Sequence, residues 1–159
     1  MNGVLIVDKP RGCTSHDVVS MVKRRLGAKK VGHLGTLDPL ATGVLVLVID
    51  GATKYARFLD TGKKEYLAML KLGEETDTYD SEGKVVRAGD ISTLTEDAVK
   101  EALKAFRGNI KLVPPMFSAI KNNGKPLYKL ARKGVTIERE PRDVEISELE
   151  VIKIELPFV

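Results

Sequence analysis

The sequence predicts an α+β fold with a mixed, largely antiparallel sheet. Segments with the two-residue alternation of strands and segments with the apolar spacing of helices both occur along the chain. They do not follow the regular strand–helix–strand order of a doubly wound parallel sheet, and no internal repeat is present. The 159 residues, 43% of them apolar, are enough for one domain with a packed core.

The first predicted elements are a strand, a turn and a helix. Residues 4–7 (VLIV) are apolar and suit a buried strand, and the proline and glycine that follow enforce a turn. Thr14 or Ser15 can cap a helix, with Asp17 in the first turn, where the helix dipole favours an acid. Apolar residues at helical spacing continue this helix up to Gly27, which supplies the stop.

The central stretch, GHLGTLDPLATGVLVLVID at residues 32–50, joins a loop to a strand. Its first half contains His33, Asp38 and three glycines, and its second half, residues 44–49, is an unbroken apolar run. Such a run predicts a strand that is buried on both faces. An Asp before Pro is usually a turn or cap residue, so local chemistry leaves Asp38 open between a turn role and a reactive carboxylate.

Further strands and helices are predicted in the rest of the chain. Residues 53–59 favour a short helix, and residues 66–72 alternate as a strand. Thr95 caps the clearest helix, which has acids in its first turn. Residues 110–113 and 144–156 are predicted to be extended. The second half of the chain, like the first, is therefore predicted to contain both helices and strands.

Charge is concentrated in two basic stretches. Residues 9–30 contain seven Lys and Arg against one acid, and residues 119–142 contain seven against two acids. The two stretches could form one face for a polyanion, most plausibly nucleic acid, although lysine-rich surfaces are also ordinary solvated faces. No apolar run is long enough to span a membrane, and a single cysteine, Cys13, excludes an internal disulfide. These features favour the cytoplasm.

Several kinds of site are excluded. Neither a P-loop nor a dinucleotide-binding GxGxxG motif is present, and the histidines and the cysteine do not form a zinc set. Asp77, Asp80 and Glu82 lie in a turn-rich segment, but their spacing does not match an EF-hand loop. We therefore expect a capped surface turn there, and no metal or cofactor.

Four segments, in this order, carry a resemblance to a known family. They are VDKPRGCTSHDV at 7–18, GHLGTLDPLATGVL at 32–45, KEYLAMLKLGEETDTYDSEG at 64–83 and PPMFSAIKNNGKPLYKLARKG at 114–134. Together they resemble the TruB-type tRNA pseudouridine synthases, which isomerise the uridine at position 55 in the T loop of tRNA. The resemblance covers essentially the whole chain and implies the pseudouridine synthase catalytic core, an isomerase that needs no cofactor.

The resemblance also implies roles for individual residues. Asp38, in GTLDP, corresponds to the essential nucleophile, and Tyr66 to the aromatic that lies on the target base and is a candidate general base. His33 corresponds to the residue that engages the T loop. Lys9 is placed among the substrate-binding residues, where with Pro10 it supports the floor of the active site.

Residues 114–142 correspond to an RNA-binding insertion that closes over the RNA as a thumb. The resemblance assigns phosphate contacts to four of its basic residues: Lys121, Lys125, Arg132 and Lys133. The expected partner is the T stem-loop of tRNA, bound by a monomer. In such recognition the protein binds a base that has left its stack, together with the charged phosphates of the RNA backbone.

Two parts of the family pattern are not found in the 159 residues. These are a KGTYIR-like motif, whose Arg pairs with the catalytic Asp, and a small C-terminal RNA-binding domain. We therefore expect residues 1–159 to be an N-terminal portion of the catalytic domain that is inactive alone. The alternative is a non-catalytic RNA-binding or RNA-chaperone module in which Asp38 is a structural turn. A carboxylate-dependent hydrolase lacks a second acid at a recognisable spacing.

Overall fold

The computed structural model describes residues 1–59, 62–118, 120–122 and 124–159. The chain forms two compact units, Met1–Glu65 and Tyr66–Val159. Helices and antiparallel strands occur in both units, which confirms the predicted α+β class. Within the described part of the chain, no helix is long and apolar enough to cross a membrane.

A three-stranded sheet forms the first unit. Its strands are β1 (Gly3–Lys9), β2 (Val31–Leu34) and β3 (Gly43–Ile49). Strand β3 lies in the middle and pairs antiparallel with both neighbours, so the apolar run of the sequence becomes the central strand. Leu5 lies opposite Leu47 in this register, and because side chains alternate along a strand, Val7 and Lys9 leave β1 on the same face as Leu5.

Helix α1 (Ser15–Leu26) covers one face of this sheet. Thr14 is its N-cap, which resolves the choice between Thr14 and Ser15, and Asp17 completes a capping box. The helix ends at Gly27 with φ of 60°, a left-handed conformation that costs glycine little. The predicted start and stop of this helix are both confirmed.

The core of the first unit lies between α1 and β3. Val18 and Val19 of the helix pack against Leu45 and Leu47 of the strand. The prediction that β3 is buried on both faces is wrong at its start, where Val44 is 72% exposed. Val44 faces away from α1, and its partner in the register, Asp8, is also exposed.

A 3₁₀ helix (Asp50–Tyr55) and the short helix α2 (Ala56–Leu59) follow β3, where one short helix was predicted. Asp50 accepts hydrogen bonds from the backbone N–H of Lys30 (2.8 Å) and from the amino group of Met1 (3.2 Å). The Lys30 bond, more than the amino group, holds the pKa of Asp50 below its ordinary value. Asp50 thus connects the residues that precede the two edge strands, β1 and β2, to the end of the central strand β3.

In the described residues of the second unit there are three antiparallel strand pairs and two helices. The pairs are β4 (Glu74–Thr76) with β5 (Val85–Ala88), β6 (Gly108–Leu112) with β9 (Arg142–Ile146), and β7 (Lys121–Asn122) with β8 (Lys125–Pro126). The helices are α3 (Glu96–Lys104) and α4 (Leu127–Ala131). The predicted cap is confirmed, because the Thr95 hydroxyl accepts a hydrogen bond from the N–H of Ala98 (3.2 Å).

Two strand predictions in this unit need correction. Most of residues 66–72 is not a strand: only the end of the segment pairs with residues 157–159, through bonds such as Leu72 N–H to Pro157 C=O (2.8 Å). Of residues 144–156, only the part within β9 is a strand. Alternation marks a segment that can form a strand, but the strand forms only where a neighbour supplies hydrogen bonds.

The acidic segment between β4 and β5 is a hydrogen-bonded turn, as predicted. The Asp80 carboxylate accepts bonds from the Thr78 hydroxyl (2.6 Å) and the Glu82 N–H (2.9 Å). Asp77 accepts one from the N–H of Lys84 (2.9 Å). Among the described residues, no group of three or more His, Cys, Asp or Glu could hold a metal ion.

Candidate active site

Asp38 lies in the middle of the loop 35–42, which joins β2 to β3. The side chain of Leu37 packs against the core, whereas Asp38 is exposed. The Asp38 carbonyl accepts a hydrogen bond from the N–H of Ala41 (3.1 Å), which closes a turn. The loop is therefore anchored in the core one residue before the acid and turns back immediately after it.

The Asp38 carboxylate takes no part in this turn. Within the described part of the chain it makes no hydrogen bond and no ion pair, because the backbone alone closes the turn. An Asp that serves as a cap or an Asx turn uses its side-chain oxygens for the local backbone. A turn role for the Asp38 side chain, which the sequence left open, thus has no side-chain hydrogen bond to support it among the described residues.

Lys9, at the end of β1, holds the far side of the loop. Its ammonium donates to the carbonyls of Cys13 (2.8 Å) and Pro10 (3.0 Å), with a longer contact to Pro39 (3.5 Å). Its side chain has no exposed surface, because strand alternation directs it to the α1 side of the sheet. This burial fits the predicted support of the active-site floor and leaves no Lys9 surface for direct contact with RNA.

Gly12 and Ser15 also hold the loop, and neither was among the site residues predicted from the sequence. Gly12 donates its N–H to the carbonyl of Pro39 (2.8 Å) from a φ of +87°, a conformation that disfavours residues with a Cβ. The Ser15 hydroxyl bonds both the N–H (3.0 Å) and the C=O (3.2 Å) of Leu37. Because 22 residues separate Ser15 from Leu37, no local pattern could have indicated this contact.

His33 lies in β2, two residues before the glycine that opens the loop. It pairs with Leu47 in the register and is half-buried. Its Nδ1 is hydrogen-bonded to the carbonyl of Gly35, so this nitrogen carries the proton and donates. In a neutral imidazole this leaves Nε2 as the acceptor. The ring is thereby tied to the loop that contains Asp38.

Tyr66 belongs to the second unit, whereas Asp38 belongs to the first. It lies in the extended segment before Lys71 and is 68% exposed. The backbone of the same segment is anchored further along, where Leu70 and Val159 exchange two hydrogen bonds (2.8 and 3.0 Å). Tyr66 is therefore available to an external group and is not part of the core of its unit.

The basic hairpin, which we define as β7, β8, α4 and the residues up to Gly134, contains the four cations expected to contact phosphate. Lys121, Lys125, Arg132 and Lys133 are all exposed. None of the four forms an ion pair with a described residue, whereas on α3 Lys100 and Lys104 are paired with acids. The tight turn predicted at 123–124 includes Asn123, which lies outside the described residues.

One apolar residue anchors the basic hairpin. Leu127 is 2% exposed, and its N–H donates to the carbonyl of Ile120 (2.7 Å). The N–H of Tyr128 donates in turn to the carbonyl of Ser118 (3.0 Å). The guanidinium of Arg132 lies over the ring of Tyr128, 5.5 Å from its centroid. The basic hairpin is thus a cationic element that is attached through a buried leucine.

Comparison with known families gives one match that covers most of the chain. The sequence pattern of the TruB family pseudouridylate synthase N-terminal domain matches residues 23–159. Two proteins named tRNA pseudouridine synthase B, from Geotalea uraniireducens and Haemophilus influenzae, are 54% and 49% identical over all 159 residues. Those 159 residues cover 51% of each relative, so the chain spans about half the length of the curated relatives that it matches.

Solved structures agree with the sequence comparison. A chain in the crystal structure of a Cbf5-Nop10-Gar1 complex matches 98% of this chain with a TM-score of 0.68 and 32% identity. A chain in the structure of an H/ACA RNP bound to a substrate RNA containing 2'-deoxyuridine matches 89% with a TM-score of 0.54 and 29% identity. The matches cover 37% and 36% of those chains, respectively.

Proposed function

Because the chain belongs to the TruB family of pseudouridylate synthases, we propose that its intact protein isomerises uridine to pseudouridine in tRNA. The proposed target is the uridine at position 55 in the T loop. The proposed partner is the T stem-loop, bound by a monomer in the cytoplasm. Relatives about twice as long as this chain support the further proposal that the 159 residues are inactive without the remaining length.

The proposed reaction breaks the N1–C1′ bond of uridine, turns the uracil and forms a C5–C1′ bond. The C5 proton leaves and N1 ends with a proton, so atoms balance without an oxidant or reductant. The carboxylate of Asp38 is the proposed nucleophile, and Tyr66 is the proposed base for the C5 proton. Neither role requires a metal or an organic cofactor.

The observation that carries this proposal is that the side chain of Asp38 is free while its backbone is held in place. Its carboxylate is exposed and unpaired among the described residues, while the backbone on both sides of it is hydrogen-bonded to residues of β1 and α1. A nucleophile needs a free carboxylate on a fixed backbone, because positioning before the reaction lowers the entropic part of the barrier. A structural turn would need neither.

The target uridine lies in a loop, so it must leave its stack before reaction. An exposed aromatic such as Tyr66 can stack on an extruded base, and unpaired cations can bind the phosphates around it. The basic hairpin supplies four such cations. His33, tied to the loop of Asp38 through Gly35, is the proposed contact to the T loop next to that base.

The test is the variant Asp38→Asn in the intact protein, with tRNA that is tritiated at C5 of uridine. We expect no release of tritium, because the amide is not a nucleophile, and tRNA binding within about two-fold of wild type, since shape and most contacts persist. Asp97→Asn, an exposed acid on α3, is the matched control and retains activity.

Near-normal tritium release by Asp38→Asn would refute the nucleophile. An intact wild-type protein that binds tRNA but releases no tritium would instead favour the non-catalytic RNA-binding module.

A further inference from the structure

The hydroxyl of Ser15 makes both of its hydrogen bonds to one residue, Leu37, in the loop that contains Asp38. Ser15 is 2% exposed, and its Oγ accepts from the N–H of Leu37 (3.0 Å) while donating to the C=O of Leu37 (3.2 Å). Both backbone groups of the residue before Asp38 are therefore fixed by a single side chain. Without this hydroxyl, the N–H of Leu37 would lack its partner at a site with little access to water.

Ser15 is the first residue of α1, next to the N-cap position at which a serine commonly bonds the helix backbone. Here Thr14 is the cap, and it bonds the N–H of Asp17 (3.1 Å). The helix therefore does not need the Ser15 hydroxyl, and its two bonds to Leu37 are not by-products of capping. The second serine of α1, Ser20, is half-buried and makes no side-chain hydrogen bond to a described residue.

The bonds from Ser15 complement those on the other side of Asp38. Pro39 is held through its carbonyl by the N–H of Gly12 and the ammonium of Lys9. Loss of the Ser15 hydroxyl would leave this second attachment and the apolar packing of Leu37 in place. The loop would then stay folded but could pivot about Pro39, which moves the carboxylate of Asp38.

We propose that Ser15 is a positioning residue for the reaction, acting through the backbone of Leu37 to hold the Asp38 carboxylate. This inference rests on the proposed function, since it presumes that Asp38 is the nucleophile. Displacement of a reacting group by about 1 Å can lower the rate about 100-fold. The effect falls on turnover and not on RNA binding, because Ser15 is buried and has no surface to offer the RNA.

The experiment compares Ser15→Ala and Ser15→Thr in the intact protein, by kcat and KM for tRNA. We expect Ser15→Ala to lower kcat by about 10- to 100-fold with KM within about two-fold, and Ser15→Thr, which keeps a hydroxyl, to recover part of the loss. Amide hydrogen exchange adds a readout that is independent of activity: Leu37 should exchange faster in Ser15→Ala.

Two controls separate positioning from stability. Thr14→Ala removes the helix cap but leaves both bonds to Leu37, so its thermal midpoint should fall while its kcat stays at the wild-type value. Ser20→Ala removes a hydroxyl from the same helix and should change neither. A wild-type kcat in Ser15→Ala would overturn this inference and leave the proposed function standing. A loss of kcat in Thr14→Ala as large as that in Ser15→Ala would do the same. An inactive intact wild type would overturn the proposed function as well.

Discussion

Thr14 and Asp17 cap the first turn of α1 reciprocally. The N–H of Asp17 donates to the Thr14 hydroxyl oxygen (3.1 Å), and the N–H of Thr14 donates to the Asp17 carboxylate (2.8 Å). The Thr14 hydroxyl also donates to the same carboxylate oxygen (2.6 Å). This arrangement caps the helix at Thr14, so the hydroxyl of the next residue, Ser15, is left free to bond the backbone of Leu37.

The capping pair predicts a pH dependence. The hydroxyl of Thr14, and next its N–H, hold the pKa of Asp17 below its ordinary value. A lowered folded pKa means that ionised Asp17 stabilises the fold above the ordinary Asp pKa, and that this contribution is lost as pH falls through the folded pKa. In Thr14→Val the pKa of Asp17 should rise towards its ordinary value, which NMR titration of the carboxyl carbon measures.

Asp90 is the internal control in the same spectra. Its pKa is lowered by the N–H and the hydroxyl of Ser92, in the other unit, and Thr14→Val should not change it. Identical titration of Asp17 in both proteins would contradict the capping account.

The core of the first unit predicts a large difference between two positions of one strand. Leu47 has no exposed surface, and Leu47→Ala should lower the free energy of unfolding by about 2–5 kcal/mol through lost burial and a cavity. Val44→Ala, at a position that is 72% exposed, should cost less than about 1 kcal/mol. Urea unfolding of both variants checks this, and equal losses would show that β3 is not packed as described.

Lys9 predicts a coupled loss of stability and turnover. Lys9→Met retains the apolar stem but removes the ammonium from the carbonyls of Cys13 and Pro10, at a cost of about 1–3 kcal/mol. It leaves Pro39 with the N–H of Gly12 as its remaining donor. Because the Pro39 side of the loop loosens, kcat should fall while KM for tRNA changes little. Lys23→Met, at an exposed position of α1, is the control for loss of charge. A rise in KM alone would point instead to direct contact of Lys9 with RNA.

The basic hairpin predicts a change in the salt dependence of tRNA binding. Each phosphate contact that is removed should reduce the slope of log K against log salt by about one. Lys125→Ala with Arg132→Ala should therefore flatten the slope by about two if both cations contact phosphate. Lys100→Ala with Lys104→Ala removes the same charge from α3, where both lysines are paired with acids, and should leave the slope unchanged.

The sequence predicts correctly those elements whose structure depends on neighbouring residues. Both capped helix starts, at Thr14 and Thr95, depend on residues within one turn, and the central strand depends on an apolar run. The prediction failed for residues 66–72, because a strand needs a neighbour that local alternation does not reveal.

The same limit applies to the candidate site. The acid in its loop was visible in the sequence, but the groups that hold it come from far along the chain. Lys9 is 30 residues from Pro39, and Ser15 is 22 residues from Leu37. Lysines are mostly exposed, so the sequence pattern of polar and apolar residues could not show that Lys9 would be buried. Its burial is possible because its ammonium is hydrogen-bonded to backbone carbonyls.

The order of these groups along the chain has a consequence for biosynthesis. Lys9, Gly12 and Ser15 leave the ribosome before Asp38, since translation starts at the amino terminus. Strand β1 is an edge strand that pairs with β3, so its strand hydrogen bonds can form only after β3 has been synthesised. The nascent loop 35–42 therefore emerges when its anchors already exist, and it closes as β3 folds back onto β1. Asp38 is thus set in place by the same long-range strand pairing that completes the sheet of the first unit.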